Sequence, residues 1–220
     1  MKKIYIRLCI ASTLLFLSSC SSVTTIDGTW TKPETVAQTY HSIVVLGLSK
    51  DIIKRSTIEN SIINELTKNG FHALAGSVLV PSNLIDVDSD GKLDKYAKEI
   101  IADKLKAAGV DGALVFVLKD VEKSISYVPG TPTYTPVYGM YGFSGYYRGT
   151  YNNMYGGVDP GYYQQNSNYK VTTNFYNVAN EQLLWSALSE TMNPSSLNDF
   201  SASYGSALVK SFVESGVIRK

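Results

Sequence analysis

Cysteine, histidine and formal charge are all scarce in this chain of 220 residues. Two cysteines exclude a disulfide-stapled scaffold and a multi-cysteine zinc site. Two histidines, His41 and His72, leave little material for a His-based triad or a zinc centre. A net charge of +1 and a pI near 7.7 give no support to a nucleic-acid binder, which usually shows a basic face or stripe. No G-x-S-x-G elbow or phosphate-binding loop occurs, since Gly142-Phe143-Ser144-Gly145 lacks the second glycine at the needed spacing. No apolar run approaches the 18 or so residues of a transmembrane helix. Hydrophobic residues are not scarce: at 44% of the chain they suffice for a buried core, which argues against wholesale disorder.

The N-terminus has the build of an export signal. Lys2, Lys3 and Arg7 precede an apolar run over 8–17, which is too short to span a bilayer. The run closes with Leu17-Ser18-Ser19-Cys20, which resembles a bacterial lipobox: an aliphatic residue, two small ones, then cysteine. That motif implies a diacylglyceryl group on Cys20 and removal of residues 1–19. Cys9 is then lost with the signal and Cys20 is alkylated, leaving no free thiol. Loss of Lys2, Lys3 and Arg7 takes the net charge from +1 to −2. Each buried acyl CH₂ contributes about 0.8 kcal/mol, so two or three chains hold a protein stably at a membrane. The expected location is the cell envelope, at the periplasmic face of the outer membrane.

The Ser/Thr-rich stretch 20–40 reads as a flexible tether, and 41–220 as one α/β domain. Ser42-Ile43-Val44-Val45-Leu46-Gly47-Leu48 predicts a buried strand. Ile52, Ile53, Ile58, Ile62, Ile63 and Leu66 recur with helical spacing over 50–68, and Asn69-Gly70 ends that helix. A second strand is expected over 71–80, a second helix over 93–108 and a third strand from Ala113 towards Val128. Apolar periodicity then stops. Residues 129–168 hold nine Tyr, eight Gly and four Pro but only two charges, Arg148 and Asp159, and read as an insertion. Alternation resumes with Tyr169, Val171, Thr173 and Phe175 on one strand face. A partner strand follows over 183–191, with Trp185 in its core-facing pattern, and then a last helix capped by Ser196 and ended by Gly216. The order β-α-β-α-β-(insertion)-β-β-α predicts an α/β fold, a mixed sheet packed by about three helices.

The strand at 43–48, the strand at 71–75 and the run Ala107-Ala108-Gly109-Val110-Asp111-Gly112-Ala113-Leu114 resemble the N-terminal domain of TolB and the CsgG-type fold. Tyr176-Asn177-Val178 with Glu181-Gln182-Leu183-Leu184-Trp185-Ser186 resembles the hairpin of those domains. Lipid-anchored relatives carry a Tyr-Val-Pro-Gly turn, here residues 127–130, and a Trp-Ser-Ala-x-Ser-Glu-Thr run, here residues 185–191. The likeness covers residues 42–215 outside the insertion, and it implies an envelope assembly or binding module. Pore-forming members add membrane-spanning hairpins, whereas this insertion has no amphipathic strand pattern.

Two stretches present candidate site residues. Asp86, Asp88, Asp90 and Asp94, with Gly91 between, follow the start of a calcium loop. Position 12 of that loop is Ala97 where a bidentate Glu is required, so the alternative is an acidic loop whose Asp94 favours the positive end of the next helix. The insertion offers Tyr134, Tyr138, Tyr141, Tyr146, Tyr147, Tyr151 and Tyr155 as a surface for an envelope protein, a glycan or lipid headgroups, because tyrosine gives broad amphipathic contact at small entropic cost. A calcium-dependent adhesion or carbohydrate-binding role is the alternative function, and a hydrolase built on His72 a second one. No catalytic residue and no obligatory cofactor is expected.

Overall fold

The computed structural model describes residues 22–81, 95–129 and 161–219. The fold is mixed α/β, as expected. Among the described residues the elements are β1 (Val23–Thr31), β2 (Gln38–Thr39), β3 (Ile43–Gly47), α1 (Ile52–Lys68), β4 (Ala73–Ala75), the single turn α2 (Gly76–Leu79), α3 (Lys95–Ala107), β5 (Gly112–Val128), β6 (Tyr162–Asn177), β7 (Gln182–Met192), α4 (Leu197–Glu214) and β8 (Ile218–Arg219). Six strands form one sheet in the order β1-β7-β6-β5-β3-β4, and β2 pairs with β8 separately. The chain divides into two units, one of Met1–Val121 with Asn168–Lys220, the other of Glu122–Ser167.

In the first unit, β3 runs parallel to both β4 and β5, while β7 is antiparallel to β6 and β1. One sheet face packs on α1 and α4 through Ile43, Val45, Leu114, Val171, Phe175 and Trp185 against Ile62, Leu66, Leu208 and Phe212. On the opposite face Val44, Leu46 and Ala113 meet Leu105 of α3, with Val80 and Val110. Gly205 lets the two long helices approach closely. A Cβ there would lie 3.0 Å from Ser61 Oγ, which itself donates to the Ser201 carbonyl at 2.7 Å.

Several helix ends are set locally. Asp51 accepts from the N–H groups of Ile53 and Lys54 at the start of α1, and Ser196 accepts from Asp199 N at the start of α4. Gly70, Gly109 and Gly216 follow three helices at φ between +68° and +84°, a region where a side chain is strained.

Four expectations need correction. The stretch 20–40 is not a tether throughout, because 23–31 is an edge strand paired with β7. Its apolar content is low because only alternate residues, Thr24 and Ile26, turn towards the core side, and threonine suits a half-buried strand. The strand expected over 71–80 shrinks to three residues, because the chain turns into α2 at Gly76. A Cβ at Gly76 would sit 2.8 Å from the Val45 carbonyl, so glycine allows this turn to press on β3. On α1, Ile53 is 70% exposed, and the stripe through Ile62 and Leu66 continues instead to Glu59 and Arg55, both fully buried. The insertion is narrower than 129–168, because β6 begins at Tyr162. Strands with polar faces, such as Gln164 and Asn166 beside Tyr162 and Tyr163, leave no apolar alternation to read.

Candidate functional site

The second unit contains the most exposed aromatic cluster among the described residues. The end of β5 carries Ile125 and Tyr127, and the start of β6 carries Tyr162 and Tyr163. Their exposures are 68%, 53%, 61% and 74%. The rings of Tyr127 and Tyr163 lie 5.2 Å apart at an angle of 52°, and Asn166 Nδ2 donates to Ser126 Oγ at 3.2 Å. Ring packing and the amide–hydroxyl bond add cross-strand contacts to this ribbon of two neighbouring strands. Tyr127, Tyr162 and Tyr163 were not among the sequence candidates, although Tyr162-Tyr163 belongs to the same tyrosine-rich run. Tyr134, Tyr138, Tyr141, Tyr146, Tyr147, Tyr151 and Tyr155 lie outside the described residues, as do Cys20 and the aspartates Asp86, Asp88, Asp90 and Asp94. Among the described residues no group of three or more His, Cys, Asp or Glu side chains is arranged to hold a metal. No described helix is long and apolar enough to cross a membrane.

In the first unit, both histidines sit where the parallel strands begin. Asp111, just before β5, accepts from His41 N at 2.8 Å and from Ser42 N at 3.0 Å, and its carboxylate lies 3.0 Å from His41 Nδ1. Burial pushes this carboxyl up, but the N–H groups of His41 and Ser42 and the His41 ring outweigh it and leave it below the usual range. His72 Nδ1 lies 3.2 Å from Ser42 Oγ. These contacts do not join into a nucleophile–base–acid relay: Asp111 holds His41, whereas the hydroxyl meets His72. They clamp the starts of β3, β4 and β5 together. Ligands of open α/β sheets bind at the opposite, carboxyl end of the strands.

At that carboxyl end lies a buried ion pair absent from the sequence candidates. Arg55 Nε donates to Glu59 Oε1 at 2.8 Å, and both side chains are fully buried. Glu59 also accepts from Gly47 N at 2.9 Å and from Ser77 N at 2.7 Å, so one carboxylate ties the end of β3 to α2. Arg55 Nη1 donates to the Val80 carbonyl at 3.0 Å. The signal was available in the sequence: 55, 59, 62 and 66 form a single i, i+4, i+7, i+11 stripe.

The start of β1 is held by a second carboxylate, at the surface. Ser22 N donates to Asp199 Oδ1 at 3.0 Å, while Ser195 N and Ser195 Oγ each donate to Asp199 Oδ2 at 2.9 Å. These N–H donors, that of Ser195 first, bring the Asp199 carboxyl down to about 2. A carboxyl lowered in this way stabilises the fold above its unfolded pKa of about 3.9, and the contribution disappears as pH falls through about 2. The N-terminal chain is thus tied to the first turn of α4 throughout the neutral range.

No protein-family model and no curated protein matches the chain. Solved structures similar to it include the PelC dodecamer from Paraburkholderia phytofirmans, at 13% identity and a TM-score of 0.45, covering 90% of this chain and 100% of that one. A lipoprotein from Neisseria meningitidis is 15% identical with a TM-score of 0.40, covering 79% of this chain and 98% of that one. A PDZ domain protein from Parabacteroides distasonis is 12% identical with a TM-score of 0.38, covering 92% of this chain and 39% of that one.

Proposed function

We propose that this protein is a lipid-anchored module of the bacterial envelope, held through acylated Cys20, that binds an envelope protein or glycan through its tyrosine ribbon. The periplasmic face of the outer membrane is the proposed location. Kinship with the TolB N-terminal and CsgG-type domains is part of the proposal, resting on the short sequence runs that carry the resemblance. The observation that carries the binding role is the exposed group Ile125, Tyr127 and Tyr163 on one face of the ribbon, with Tyr162 exposed on the other. Large apolar side chains exposed together on a soluble face mark interaction surfaces, and tyrosine loses little entropy when it is covered. The chemistry is adsorption of rings and hydroxyls onto a partner, without bond making, so we assign no enzymatic role.

Cross-linking in intact envelopes followed by affinity capture tests this reading. The parent chain should retain a defined protein or glycan partner, and a variant with Tyr127→Ser, Tyr162→Ser and Tyr163→Ser should lose at least about nine-tenths of it, as expected when several anchoring aromatics are removed. Undiminished capture by the triple variant would remove the ribbon from the binding role. Cys20→Ala should release the protein from the membrane fraction; retention there would defeat the anchoring half of the proposal.

A further inference from the structure

In the first unit, β1, β7 and β6 bring one row of side chains together on the sheet face opposite α1 and α4. Trp30 lies across from Ser186 in the β1–β7 register, and Ser186 lies across from Asn174 in the β7–β6 register. Opposed residues share a face, and the neighbours of Ser186, Trp185 and Ala187, are buried in the core on the other one. Hydrogen bonds join the row. Ser186 Oγ donates to Asn174 Oδ1 at 2.7 Å, and Asn174 Nδ2 donates to the Tyr176 hydroxyl at 3.1 Å. The Tyr176 ring packs against the core on the α3 side, which fixes the far end of this polar chain. Trp30 is half-exposed, and among the described residues its indole makes no ring pair and its N–H no hydrogen bond. Beside it on β1, Gly28 lies across from Leu188, and a Cβ at Gly28 would meet nothing within 4 Å. The indole therefore stands next to open space floored by Gly28 and Leu188.

We infer that this row is a binding site for a neutral glycan. One pyranose ring lies along the Trp30 indole above Gly28 and Leu188, and the hydroxyls of the next ring bond to Ser186, Asn174 and Tyr176. A sugar offers an apolar C–H face and hydroxyls that both donate and accept. An aromatic plate beside a hydroxyl, an amide and a phenol matches both. Two strand spacings, about 10 Å, separate Trp30 from Asn174, which suits two linked rings. Charge selects an uncharged ligand. The row carries none, Lys170 and Glu190 oppose each other with opposite signs on the same face, and Asp27 at the β1 bulge adds one negative charge that disfavours an acidic chain. Both register shifts of these ladders flank the row, at Ile26/Gly28 and at Phe175/Tyr176, and bulges of this kind re-aim side chains beside binding sites. The site uses no residue of the tyrosine ribbon and does not depend on acylation of Cys20.

Intrinsic fluorescence gives a direct reading, because the chain has two tryptophans and Trp185 is fully buried. Acrylamide quenching therefore reports on Trp30. The full-length protein as isolated from cells, in sugar-free phosphocholine micelles, is titrated with cellohexaose, mannohexaose and chitohexaose, and with oligogalacturonate as the charged control. At least one neutral hexasaccharide should shield Trp30 from acrylamide, and oligogalacturonate should not. Calorimetry with the shielding glycan should show binding weakened about tenfold or more in Trp30→Ala and about fivefold in Asn174→Ala. Trp30→Phe, which keeps a ring on the strand, should stay within about threefold of the parent. The combined variant Tyr127→Ser, Tyr162→Ser and Tyr163→Ser should bind as the parent does.

Absence of shielding by all three neutral glycans would overturn the inference, and so would unchanged affinity in both Trp30→Ala and Asn174→Ala. Equal shielding by oligogalacturonate would defeat the assignment to an uncharged ligand. Binding lost in the triple tyrosine variant but kept in Trp30→Ala would give the glycan to the ribbon, sinking this site while upholding the proposed function.

Discussion

Residues 43–47 and 182–192 are strands of one sheet, yet every residue of β3 is buried whereas β7 is buried only at alternate positions towards its end. The difference lies in the layers. The parallel half is covered on both faces, by α1 and α4 on one side and by α3 on the other. The antiparallel half is covered by helix on one face, and on the other it leaves Trp30, Leu188 and Met192 at 46%, 40% and 51% exposure. The two halves therefore treat polar side chains differently. In the parallel half, Arg55 and Glu59 are sealed in and pair with each other and the backbone, while Arg55 Nη2 is left buried without a hydrogen-bond partner. In the antiparallel half, Ser186 and Asn174 bond across the open face in reach of solvent, at 2.7 Å.

Three substitutions sharpen this contrast. The largest effect is expected for Glu59→Gln, which strands a buried guanidinium and places an amide donor among N–H groups. Breaking such a pair costs about 3–5 kcal/mol. Urea unfolding should show the loss as a lower midpoint at unchanged slope. A loss below about 1 kcal/mol, the figure for surface ion pairs, would mean that solvent reaches the pair and that the parallel half is not sealed.

Tyr204→Phe should have an intermediate effect. The Tyr204 hydroxyl is fully buried and 2.6 Å from Thr173 Oγ1, and burial raises its pKa despite the Thr173 hydrogen bond that opposes the rise. Removing one partner leaves the Thr173 hydroxyl unsatisfied beneath α4, at a cost of about 1–3 kcal/mol. Thermal melts should reveal it, and restoration of stability by the added change Thr173→Val would identify the hydrogen bond as the cause.

The smallest effect belongs to Leu188→Thr on the open face, where a β-branched residue suits the strand and no layer covers it. Stability should stay within about 0.5 kcal/mol of the parent. A loss above about 1.5 kcal/mol by chemical denaturation would show that something packs over this face, and the two halves would then be alike.

Both halves contain elements legible in the sequence and elements that are not. Ile43 to Leu46 is apolar without interruption, so its burial is read directly, and the face shared by Val171, Thr173 and Phe175 is given by period two alone. Ser196 and Gly216 mark the ends of α4 by local chemistry. β1 was missed because an edge strand buries little and its residues pass for linker. The burial of Arg55 and Glu59 was missed because charge reads as solvent-facing until the surrounding chain is known. Tyr127, Tyr162 and Tyr163 were not singled out, since exposed aromatics on a two-strand ribbon carry no amphipathic period.

The sequence by itself determined the elements whose causes are local: the end of α1 at Asn69-Gly70, the apolar period and caps of α4, the continuous run of β3 and the alternation of β6 and β7. Tertiary structure alone decided that Ser22 meets Asp199, 177 positions away, and that Glu59 meets Gly47 and Ser77. It also decided that Asp111 meets His41 across 70 positions. The physical reason is range. Caps and hydrophobic periods act within a few residues and are written in neighbouring letters, whereas a carboxylate's hydrogen-bond partners are fixed only when sheet register and helix packing bring distant backbone N–H groups to its oxygens.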